Sequence, residues 1–98
     1  MKNIVIVASV NVKEDFKDEV YKELLKLHKA THKLDEGCIQ YDLYKDLKDE
    51  NKFTFIETWE NEELLEAHKQ KEHFKTFVSN TQNKLESMNV LILEKLNI

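Results

Sequence analysis

The 98 residues include no arginine, no proline, one glycine and one cysteine. All 15 basic side chains are therefore lysines. No side chain here can form the planar two-pronged fork with which a guanidinium grips a carboxylate or phosphate. An anionic ligand would have to rely on lysine, histidine or backbone amides. Acidic residues number 19, the formal net charge is −4, and no basic stripe runs along the chain. That balance fits poorly with nucleic acid, where phosphate neutralisation dominates affinity, and with an anionic membrane surface. A lone cysteine, Cys38, excludes an intrachain disulfide and a cysteine-based metal site, and points to a reducing cytoplasm. Cys38 itself reads as strand packing. The longest apolar run, Ile4 to Val10, is far short of the roughly 20 residues that span a bilayer. It also lacks the small-residue cleavage site of a secretory signal. Missing too are G-x-S-x-G, H-E-x-x-H, a glycine-rich phosphate loop and C-x-x-C.

What is present reads as one globular domain over residues 1–98, with 41% hydrophobic and 35% charged residues. Ile4 to Val12 has apolar residues in both alternation sets, as expected of a strand covered on both faces. A helix is predicted from about Glu14 to Lys33, with Phe16, Val20, Leu24, Leu27 and Thr31 as its inward stripe. Gly37 is placed for the left-handed turn out of it. Cys38 to Asp46 forms a second strand, in which Ile39, Tyr41 and Leu43 share a face. Leu47 to Asn51 is a hairpin loop, and Phe53 to Trp59 a third strand, with Phe53, Phe55, Glu57 and Trp59 on one face. Asn61 is a good N-cap for a helix running to about Gln70. A further helical stretch, about Glu72 to Leu85, carries Phe74, and a last strand covers Asn89 to Leu96. The order β-α-β-β-α-β is the ferredoxin-like arrangement, an α+β fold with helices on one face of a four-stranded antiparallel sheet. The other face is partly apolar and invites a second copy, sheet against sheet, in a homodimer.

Candidate chemistry gathers between residues 57 and 74. Trp59 is either a core indole or the wall of a pocket for a flat ligand. His68, on the following helix, has an ordinary pKa suited to proton transfer near neutral pH if it faces that pocket. His73 stands where two helical stretches meet, a position typical of a pocket rim. Glu57 must be paired or protonated if buried. His28 and His32 have metal-ligand spacing, but no third ligand completes a set, so no metal is assigned.

The run EGCIQYDLYKD…NKFTFIETWENEELLEAHKQKEHFKTF, from Glu36 to Phe77, resembles the antibiotic biosynthesis monooxygenase family. The resemblance lies in E-G-C before the second strand, E-x-W closing the third, N-x-x-x-L opening a helix, and A-H followed five residues later by H-F. It is similar to the small quinol-monooxygenase-like members and their autoinducer-2-phosphate isomerase relative. It implies a dimeric α+β barrel, and a cofactor-independent monooxygenase that oxidises a quinol-like or phenolic small molecule with dioxygen. Trp59 and His68 would be the catalytic pair. His73, Glu57, Tyr41, Phe55 and Phe74 would contact substrate. The alternatives are an isomerase of a small phosphorylated hydroxyketone and a non-catalytic ligand-binding dimer. One departure is Glu72, where the family often has proline. Asn11, Trp59 and His68 superficially echo the trio of the haem-degrading branch.

Overall fold

A computed structural model describes residues 3–98. The elements are β1 (Ile4–Val12), a 3-10 turn (Glu14–Phe16), α1 (Lys17–Leu34), β2 (Cys38–Lys45), β3 (Lys52–Trp59), α2 (Glu62–Gln70), α3 (Glu72–Thr81) and β4 (Leu85–Glu94). The sheet is antiparallel throughout, in the order β2-β3-β1-β4. It is the expected ferredoxin-like α+β fold, with the second helical region split in two.

The core follows from side-chain alternation. Ile4, Ile6, Val10 and Val12 of β1, and Phe53, Phe55, Glu57 and Trp59 of β3, are all buried beneath the helices. Helix α1 answers with Val20, Leu24, Leu27 and Thr31, the stripe its spacing predicts. Its first turn differs from expectation, because residues 14–16 wind as a separate 3-10 turn before the α-helix begins at Lys17. Ile39 departs from its predicted company. It is exposed while Tyr41 is buried, because β2 shifts register between Cys38 and Gln40. The last helix stops at Thr81, and β4 starts at Leu85, four residues before its predicted start.

Two local signals hold the connections. The Asn61 side chain accepts a hydrogen bond from Leu64 N–H at 2.9 Å, capping α2. Gly37 has φ 74°, and a Cβ built there would run into the Leu64 side chain. Gly37→Ala therefore meets strain and a clash together, and should lower unfolding free energy by roughly 1–3 kcal/mol in urea titrations. An unchanged midpoint would show that the turn relaxes freely.

β4 is left out of this cover. Ile92 pairs with Ile6 and Val90 with Ala8 on the helix side, while Leu91 pairs with Val7 and Leu93 with Val5 on the open side. All four β4 residues are exposed.

Candidate active site

Between the sheet and the pair α1–α3 lies a cavity of about 350 Å³. Its lining includes Leu24, Tyr41, Phe55, Glu57, Phe74 and Phe77. Among the described residues, Glu57 is its one carboxylate and no lysine lines it. Tyr41 and Phe55 stack with ring centroids 4.6 Å apart. A wider groove of about 480 Å³ runs outside α1, past His28 and Tyr44, but it is open and edged by Lys17, Asp18 and Lys45.

Glu57 is 5% exposed. Its Oε1 accepts a hydrogen bond from Trp59 Nε1–H at 2.9 Å. Burial pushes its carboxyl up to about 7, opposed by the Trp59 hydrogen bond and then by Lys69. Burial, with Glu57 adding to it, also holds the Tyr41 phenol far above its usual range and raises the Cys38 thiol to about 11. Both stay neutral at physiological pH. Folded Glu57 keeps a proton that the unfolded chain releases above the ordinary value of 4.5, so stability falls as pH rises from there to about 7. Glu57→Gln has no such proton to lose. Relative to the parent, it should gain roughly 3 kcal/mol between pH 4 and pH 8 in denaturant titrations. A pH-independent difference would place the carboxylate in water.

Behind the lining sits a second cluster. The Trp59 and His68 rings stack with centroids 4.6 Å apart, and both residues are almost wholly buried. Neither is among the residues lining the cavity, where the sequence had placed them together. The His68 Nδ1–H donates to Asp35 Oδ2, which fixes the tautomer and leaves Nε2 buried without a partner among the described residues. Burial holds His68 below its ordinary value of 6.5, with the Asp35 hydrogen bond pulling the other way. His73 Nε2 stands 2.8 Å from Asp35 Oδ1 without hydrogen-bond alignment, and lines an outer groove instead of the cavity mouth. Of the other expected contacts, Tyr41, Phe55, Glu57 and Phe74 do line the cavity.

Sequence reading missed Asp35. It is the C-cap of α1, where a helix dipole disfavours negative charge. A carboxylate at such a position, two residues before the only glycine, was the available signal. One ligand atom from each of Asp35, His68 and His73 falls within a 4.8 Å group, so these are the described residues that could hold a metal. The 2.8 Å separation is tighter than the roughly 3 Å or more between atoms sharing a 2.0–2.1 Å metal bond, so one carboxylate shared by two imidazoles describes it better. The His28 and His32 rings touch at a tilt, with centroids 4.4 Å apart, but the His32 ring N–H donates to the Tyr41 carbonyl at 2.7 Å. Asn11 donates to Ser87 and alternates to the sheet face opposite Val10, so the haem-type trio does not assemble.

The sequence model for antibiotic biosynthesis monooxygenases matches residues 3–80. The chain belongs to that family. Among relatives, YcnE of Bacillus subtilis, which carries the name of a proposed monooxygenase, is 33% identical over 76 residues, covering 78% of this chain and 79% of that protein. An uncharacterised Synechocystis protein, sll1783, is 33% identical over 82 residues, covering 84% of this chain but only 55% of its own length. The chain thus spans about half of some relatives. Among solved structures, a Pseudomonas aeruginosa protein superposes with a TM-score of 0.90 at 28% identity, covering 99% of this chain and 97% of that one. A Bacteroides thetaiotaomicron protein described as a possible oxidoreductase gives 0.88 at 29%, covering 96% and 98%. Among the described residues of this family member, no helix is long and apolar enough to cross a membrane.

Proposed function

We propose that this chain is a monooxygenase subunit that oxidises a quinol-like or phenolic small molecule with dioxygen. The observation that carries the reading is the cavity, aromatic and aliphatic around a single buried carboxylate. Such a space suits a flat, hydrophobic ring system bearing one acidic O–H or C–H. The absence of lysine among the described lining residues, in a chain without arginine, favours this ligand over a phosphorylated hydroxyketone. The name of YcnE and the family match point the same way.

The chemistry asks little of a protein. An ionised polycyclic phenol is electron-rich enough to reduce dioxygen itself. For an anthrone, the ring methylene and dioxygen become a ketone and water. The cavity's part is to orient the ring, keep water away and handle protons. Trp59 holds the Glu57 carboxylate from behind the lining, and His68, fixed by Asp35, packs against the indole.

The exposed residues of β4 and the open sheet face fit a second copy, sheet to sheet. Gel filtration with light scattering should give twice the mass of the chain, and Leu91→Asp combined with Leu93→Asp should give a monomer. A parent monomer at micromolar concentration would remove the barrel. Function is tested by oxygen uptake of chelator-treated protein with reduced naphthoquinols and anthrones. Uptake above autoxidation supports the reading; none across the panel counts against it.

A further inference from the structure

We propose that Glu57, not His68, is the catalytic base, taking the proton from the substrate's acidic O–H or C–H. This rests on the phenolic reading above for the substrate's class, but concerns a different step.

Position decides between the two groups. Glu57 lines the cavity, whereas His68 lies outside the lining, against the rings of Tyr41 and Phe74 that do line it. The basic Nε2 of His68 is wholly enclosed, so a ligand in the cavity has no path to it. The hydrogen bond from Trp59 occupies Oε1 of Glu57 and fixes the carboxylate plane, leaving Oε2 to accept a proton. Register sets Glu57 between Ile6 and Tyr41 on neighbouring strands. The helix residues that share the lining with it include Leu24, Leu27, Phe74 and Phe77, none of which ionises. The titratable neighbours are Cys38 and Tyr41 on β2, both neutral, and Lys69 on α2, whose charge favours the carboxylate. A base in such a place is half ionised near neutral pH, where proton abstraction is most effective.

The step balances simply. The substrate C–H or O–H bond breaks, its electron pair stays on the ring as an enolate, and the proton moves to Glu57. Dioxygen then takes electrons from the enolate and forms the C–O bond. The proton returns from Glu57 to give a hydroperoxide, and loss of water leaves the ketone.

Proton removal can be watched without oxygen. Anthrone in D2O under argon exchanges its methylene protons, and NMR follows their loss. The parent should accelerate exchange, with a rate that rises with pH through about 7. Glu57→Gln should lose about 100-fold or more of that acceleration, and Glu57→Asp should recover part of it with a displaced pH limb. Trp59 is the sole tryptophan, so its fluorescence reports whether each variant is folded. In the parent, that fluorescence should titrate near 7 as Glu57 ionises, and Glu57→Gln should abolish that transition while leaving the one His68 gives below 6.5. Exchange catalysed equally by the parent and folded Glu57→Gln overturns the proposal, as does a parent that accelerates nothing. If Glu57→Gln does not fold, a parent pH limb absent near 7 overturns it, and a limb there that moves in Glu57→Asp sustains it. Glu57-dependent exchange without oxygen uptake would uphold Glu57 as the base and remove the oxygenase reading. Oxygen uptake unaffected by Glu57→Gln would do the reverse.

Discussion

Asp35→Ala is expected to lower unfolding free energy at neutral pH by about 3–5 kcal/mol, among the largest effects of any single substitution here. The Asp35 side chain is 1% exposed and its carboxylate faces two imidazoles, so its removal strands the buried His68 Nδ1–H. It also unties three elements. Asp35 ends α1, His68 lies in the last turn of α2, and His73 in the first turn of α3. Asp35→Asn keeps an acceptor for one ring and should lose less. The acid side gives a second readout. Folded His68 is held below 6.5 and the unfolded residue is not, so stability is complete above that pH and falls as pH drops through it. Asp35 is the group that pulls His68 upward, so its loss should make the decline steeper. Equal denaturation midpoints for parent and Asp35→Ala at pH 7.5 would show that the cluster contributes nothing.

Trp59→Ala should cost about 3–5 kcal/mol through the cavity it opens. Trp59 is fully buried, and its indole meets the His68 ring at a tilt of 37° and the Tyr41 ring edge-on, with centroids 6.2 Å apart for the latter. The substitution also removes the hydrogen bond that holds Glu57 down, so the carboxyl should titrate higher still. Trp59→Phe separates the two roles. It restores most of the volume without the N–H, so stability should largely return while the Glu57 titration stays displaced. An alanine variant that unfolds within about 1 kcal/mol of the parent would place the indole outside the core.

How much of this was legible depended on whether a property is periodic. The α1 stripe, the alternation of β3 and the N-cap at Asn61 repeat or sit at fixed offsets, so the fold could be read. Ile39 was misplaced because one bulge inverts alternation, and no residue pattern announced it. Tyr41 and Phe55 of the cavity followed from strand alternation. Asp35 did not, because its partners lie 33 and 38 residues on and meet it only when α2 and α3 fold back. His68 and Trp59 were correctly neighbours, but adjacency in a layer does not say which side of the layer a ligand touches.

The strand order has a kinetic consequence. β1 emerges first in this chain, yet Ile6 finds its ladder partners at Glu57 and Ile92. The most apolar stretch of the sequence therefore waits, unpaired, for about half the chain on one edge and nearly all of it on the other. Long-range closures of this kind slow folding and leave hydrophobic strands open to other chains meanwhile. Refolding yield should thus fall with protein concentration more steeply than stability alone predicts. A nascent chain halted before β4 would keep the Ile4–Val10 run available to a chaperone.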